Sequence, residues 1–201
     1  MTSLDALPLP TIISCSSDLT ASGVLRVRVY LRDGKVSSVT ADMGPASLKA
    51  EEIPVVSNQP TVVNRAVTIG GREWNITCVS VGNPHCVVFM DGIDGLDVGA
   101  VGPQFEYASL FPERVNTEFV RVVNRTCLRM RVWERGNGET LACGTGACAA
   151  VAAAIENGYC ASDTDVLVKV KGGDLTVRCS AENNITLTGE AVLVYEGEFE
   201  Y

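Results

Sequence analysis

Apolar and polar residues alternate through Gly23–Leu31. Leu25, Val27, Val29 and Leu31 take one side and Val24, Arg26, Arg28 and Tyr30 the other, which predicts a strand. Asp33-Gly34 then predicts a hairpin turn, with Val36–Met43 as the return strand. Thr11–Cys15 reads as a short strand behind a loose lead-in, Met1–Pro10. Val62–Ile69 and Arg72–Val81 flank Gly70-Gly71 and predict a second hairpin. The apolar run Cys86–Met90 is a further strand, as are Phe119–Val123 and Cys127–Trp133. Val166–Val170 and Leu175–Cys179 flank Gly172-Gly173 as a third hairpin, and Ile185–Thr188 and Val192–Tyr195 close the chain. Two stretches read as helices: Pro103–Phe111, with Pro103 suited to a first turn, and the run that begins at Cys143. Gly44–Pro60 reads as a linker with little regular structure, and Asp91–Gly102 as a loop with four glycines. About ten strands and two helices make an α+β pattern with mostly antiparallel pairing.

The second helix organises the rest. Ala147–Ile155 carries no charge, and a helix that is apolar all round is buried all round. It spans 143–157 and stops at Asn157-Gly158. Its first N–H groups have no partner within the helix, and the helix dipole is positive there. Gly144 and Gly146 leave those groups open to an anion such as a carboxylate. A thiol in this place is expected to have its pKa lowered, which makes Cys143 a candidate base or nucleophile. Cys148, inside the helix, reads instead as a small buried hydrophobe. Gly82-Asn83-Pro84-His85 is a polar turn wedged between apolar strands. It reads equally as a loop reaching into a site and as an ordinary connection.

At 201 residues and 46% hydrophobic, the chain is globular and holds one large or two small domains. A net charge of −8 without a basic cluster argues against nucleic acid and anionic membranes. No apolar run reaches membrane-spanning length, and the N-terminus lacks the pattern of a secretory signal. The eight cysteines show no C-x-x-C, and one histidine gives little support to a zinc site, so none is expected. Free thiols in a reducing cytoplasm are the reading that fits.

The region after the Cys143 helix echoes the start of the chain at an offset of roughly 150 residues: two strands, a turn, and a third strand. The first copy has no helix or cysteine loop before it, so its strands are expected to have no helix to wrap. The expected division is 1–60 as an incomplete N-terminal unit, 61–188 as a C-terminal unit around the helix, and 189–201 as a strand returning to the first.

Three stretches taken together resemble the diaminopimelate epimerases: Val81-Gly82-Asn83-Pro84-His85-Cys86-Val87-Val88-Phe89, Arg114-Val115-Asn116-Thr117-Glu118-Phe119, and Glu134–Cys148. The resemblance implies two pseudo-symmetric domains of mostly antiparallel strands wrapped around a central helix, the N-terminal one incomplete here. It implies an isomerase that needs no cofactor. In that family two cysteines flank the α-carbon of a small-molecule substrate and convert L,L-diaminopimelate to the meso form, for lysine and peptidoglycan synthesis. Carried over by position, Cys143, His85 and Glu134 are the expected catalytic residues. Asn83, Asn116, Glu134, Arg135, Gly144 and Thr145 are the expected substrate-binding ones. The family's first Cys-Gly-Asn-Gly stretch has no match, since no cysteine but Cys143 precedes a glycine. The chain therefore reads as N-terminally truncated, with little or no epimerase activity alone. Its open strands are expected to favour self-association as a homodimer. A proline-racemase-like isomerase with another substrate is the alternative among enzymes. A degenerate, non-catalytic carboxylate-binding fragment is the alternative outside them.

Overall fold

The alternating segments assemble into one continuous sheet. The computed structural model describes residues 11–20, 23–192, 194, 197 and 198. Twelve strands pair in the order β1-β2-β3-β12-β11-β10-β8-β7-β6-β5-β4, with β9 on the far side of β8. They are β1 (Thr11–Thr20), β2 (Gly23–Arg32), β3 (Lys35–Pro45), β4 (Arg65–Ile69), β5 (Arg72–Ser80) and β6 (Pro84–Phe89). After α1 (Val98–Glu106) come β7 (Asn116–Asn124), β8 (Cys127–Glu134) and β9 (Gly138–Thr140). After α2 (Gly144–Glu156) come β10 (Asp165–Val170), β11 (Gly173–Cys179) and β12 (Asn184–Glu190).

Pairing is antiparallel except for β6–β7 and β8–β10. Those two parallel pairs are joined through α1 and α2, because a parallel return needs a crossover. At the β4–β5 hairpin both Gly70 (φ 60°) and Gly71 (φ 76°) are left-handed, as a two-residue turn in register with twisted strands requires.

The sheet curls around α2. Ala147 to Ala154 are packed by Val79, Val87, Val120, Leu128, Met130, Val132, Val166, Val168 and Val177. A second core lies on the other face of β5–β7. There Trp74, Ile76, Cys78, Cys86, Val88 and Phe119 meet α1 through Val98 and Phe105. Neighbouring residues thus serve opposite cores, Val87 beside Val88 and Val120 beside Phe119. A strand buried on both faces loses its polar alternation. At the other end, no side chain of residues 26–45 is buried.

The strand expectations hold with shifts. β1 runs to Thr20, and β6 starts at Pro84, so Pro84 and His85 belong to the strand rather than to the loop before it. The helix expected over Pro103–Phe111 lies instead at Val98–Glu106, with Pro103 inside it. Its start is marked by Asp97, whose carboxylate accepts from the Ala100 N–H at 3.0 Å. Gly44–Pro60 is more ordered than a linker. Ser47 pairs with Ser80 and Lys49 with Thr61, and Ala50, Ile53 and Val55 enter the second core. Of the strand expected over Val192–Tyr195, Val192 and Val194 carry no regular structure, and Leu193 and Tyr195 lie outside the described residues. The echo has a structural counterpart. β1–β2–β3 and β10–β11–β12 are both antiparallel meanders, and they meet edge to edge where β3 pairs with β12.

Candidate active site

Cys143 is the N-cap of α2, with extended backbone (φ −136°, ψ 113°), and its sulfur accepts the Gly146 N–H at 3.3 Å. An oxygen ordinarily takes this place. Because the thiol satisfies the third residue of the helix, the Gly144 and Thr145 N–H groups have no acceptor among the described residues. They stand at the positive end of a buried helix, where a carboxylate fits. Gly146 cannot carry a side chain. A Cβ there would lie 2.7 Å from Glu118 Oε1 and 3.2 Å from the Cys143 sulfur.

Behind the sulfur runs a chain of hydrogen bonds. Thr145 Oγ1 lies 3.5 Å from Cys143 Sγ and accepts from Asn83 Nδ2 at 3.3 Å. Asn83 Oδ1 lies 2.9 Å from His85 Nε2, and His85 Nδ1 lies 2.7 Å from Glu118 Oε1. His85 and Glu118 are both fully buried. His85 therefore reaches Cys143 through Asn83 and Thr145.

The loop facing the helix start is held from below. Asn116 Nδ2 donates to the Pro84 carbonyl at 3.0 Å, and its Oδ1 accepts the Arg135 N–H at 2.9 Å, so its amide ties β6 to that loop. Glu106, 2% exposed, accepts from Trp133 Nε1 at 2.7 Å and from the Gly136 N–H at 3.0 Å. Arg135 spreads over the surface and donates to the Glu113 carbonyl at 3.0 Å. Glu134 accepts from the Thr140 hydroxyl on β9.

The expected lowering of the Cys143 pKa is overturned. Burial is the largest influence, and with the charge of Glu118 it pushes the thiol up to about 11. The hydrogen bonds from Thr145 and Gly146 pull the other way, and Glu134 adds to the rise. Desolvation and like charge both disfavour thiolate, and they outweigh the pull of the helix start. Here the sulfur is 9% exposed and faces two carboxylates. Burial also raises Cys148, to about 12.

All eight expected residues lie around the start of α2 or on the strands and loop that face it. Sequence reasoning missed Glu118, Glu106 and Thr140. Glu118 was legible as an acid beside the apolar run of β7, within a stretch already singled out. Glu106 lay within the expected helix, but its partners Trp133 and Gly136 are about thirty residues away and no motif marked it.

The family model described as diaminopimelate epimerase matches residues 77–194. The chain is 49% identical over 187 residues to a diaminopimelate epimerase of Desulfovibrio desulfuricans, covering 90% of this chain and 64% of that protein. It is 46% identical over 182 residues to one of Acetivibrio thermocellus, with the same coverage. Among solved structures, a hydroxyproline epimerase from Agrobacterium vitis with bound trans-4-hydroxy-L-proline superposes with a TM-score of 0.61. It has 18% identity and covers 93% of this chain and 58% of that one. That likeness concerns the fold.

Proposed function

Because the chain belongs to the diaminopimelate epimerase family, we propose that it supplies the Cys143 side of an epimerase site acting at the α-carbon of diaminopimelate. The observation that carries this reading is a thiol capping a buried helix beside two N–H groups without acceptors. The substrate α-carboxylate binds the Gly144 and Thr145 N–H groups. As the α-proton leaves, negative charge grows on that carboxylate, and the helix start stabilises it. Cys143 is a protonated thiol at neutral pH, since its pKa is about 11. That suits it to give a proton to the carbanion in one direction. In the other direction it accepts the proton as thiolate. Glu134 and Arg135 engage the polar groups of the substrate, while Asn116 holds the loop that carries them. His85 and Asn83 orient Thr145 at the sulfur.

Inversion needs a second acid-base group across the α-carbon. Cys148, the other thiol near Cys143 among the described residues, lies buried inside α2. The chain spans 64% of the length of the relatives it matches. The reading makes the partner a small molecule and the compartment a reducing one, such as the cytoplasm. The homodimer is tested by sedimentation.

The experiment is α-proton exchange: L,L-diaminopimelate with the protein in heavy water, followed by proton NMR, with Cys143→Ala as control. Deuterium uptake that disappears in the variant is expected. Absence of uptake at any pH from 7 to 10 refutes the proposal and favours the carboxylate-binding alternative.

A further inference from the structure

We propose that Glu118 is a positioning residue for the thiol. Its buried carboxyl group orients the chain His85–Asn83–Thr145 that ends on Cys143, and lies against the turn that caps the sulfur. Three observations carry this. Glu118 Oε1 bonds His85 Nδ1 at 2.7 Å, while Oε2 is buried without a partner. Burying a carboxylate with half its capacity unmet is costly. Gly146 is bare where Glu118 Oε1 approaches, so the carboxylate and the cap of Cys143 share one contact. The third observation is directional. Asn83 spends its N–H on Thr145 and turns its oxygen to His85, so Nε2 of His85 must hold a hydrogen. The His85–Glu118 bond then carries one further proton between Nδ1 and Oε1. Thr145, having accepted from Asn83, has its own hydroxyl hydrogen left for the sulfur. Removing Glu118 takes away the anchor that sets this direction.

The titratable groups facing Cys143 are Glu118 from β7, Glu134 from β8 and Cys148 from α2, with His85 behind Thr145 on β6. β12 brings Leu187 to the helix start. Of these, Glu118 is the charge with no hydroxyl or N–H to satisfy its second oxygen.

The inference rests on Cys143 being the reacting thiol, but its test needs no turnover. The pH dependence of iodoacetamide alkylation at Cys143 is read peptide by peptide by mass spectrometry. Glu118→Gln keeps the shape and removes the charge. It is expected to move the midpoint down by about one unit, a roughly tenfold faster alkylation at pH 8. Cys127, the half-exposed thiol at the start of β8, serves as the unmoved internal reference. Thr145→Val cuts the last link with the charge intact, and is expected to slow Cys143 below the parent rate. The opposite signs separate positioning from general loosening. If Glu118→Gln does not fold, the parent protein still decides. It holds one histidine, whose Nε2 is expected to show the 15N shift of a protonated nitrogen at pH 7. An unmoved Cys143 profile in folded Glu118→Gln, or an Nε2 without hydrogen in the parent, overturns the proposal.

Discussion

Gly102→Ala offers a sharp test of how α1 supports the site. A Cβ on Gly102 would lie 2.3 Å from Trp133 Cδ2, 2.4 Å from Cγ and 2.6 Å from Cε3. These are ring atoms, so the whole indole must move. Trp133 Nε1 donates to Glu106 Oε2 at 2.7 Å, and a displaced ring loses that bond. Overpacking costs about 1–3 kcal/mol, and a hydrogen bond to a charged group about 1.5–3 kcal/mol. Alanine returns about 1 kcal/mol of helix propensity. The net expectation is a loss of about 1.5–5 kcal/mol, a large share of the 5–15 kcal/mol typical of a domain. Urea unfolding followed by fluorescence reads it, since Trp74 and Trp133 are the only tryptophans. A lower midpoint at constant slope is expected. In a Trp133→Ala background the same change should be neutral or stabilising, because the obstacle is gone, and the double-mutant cycle isolates the contact. A midpoint unchanged or raised in the single variant would refute the reasoning. Since Trp133 precedes Glu134, deuterium uptake should also fall, even in dilute buffer where the variant is folded.

Other outcomes follow from the same geometry. Phe105→Ala removes a fully buried ring that meets Trp74 edge-on at 5.3 Å and Phe119 at 5.6 Å, and should cost about 3–5 kcal/mol in denaturant unfolding. The Cys143 thiol is raised from 9.0 to about 11, so the unfolded chain releases that proton first. Its stabilising contribution is whole below pH 9 and is lost as pH climbs towards 11, a fall on the order of 2–3 kcal/mol. Cys143→Ser should flatten that alkaline fall in pH-dependent melts. Glu106→Gln keeps an acceptor for one of its two site-facing donors, Trp133 and Gly136, and should reduce deuterium uptake more than stability, as paired exchange and unfolding measurements would show.

Where alternation was strong, the strands were legible. The β2–β3 and β4–β5 hairpins lie where Gly23–Met43 and Val62–Val81 placed them, because turn chemistry fixes register locally. α2 was legible for a different reason: a stretch of small uncharged residues has nowhere to go but the interior. The misplaced α1 shows the limit. Gly99 and Gly102 read as loop, yet Gly102 is bare because Trp133, about thirty residues later, fills its space. No local pattern reports a partner that distant. The linker fails likewise, since Ile53 and Val55 lie in a short stretch broken by Pro54 and join a core supplied by residues distant in sequence. In the candidate site, motif residues were legible as a set, but the protonation of Cys143 was not. It depends on Glu118 approaching from another strand.

The seam between the two meanders has a consequence in time. Thr40 on β3 and Thr188 on β12 share a hydroxyl contact at 2.7 Å across a separation of 148 residues. At synthesis rates of roughly 5–20 residues per second, β3 waits about 7–30 s for the strand that covers its edge. β10 to β12, by contrast, meet α2 and one another almost as they are made. The first meander is therefore the last part of the sheet to close, and the interval before it does is when an open edge is available to other chains.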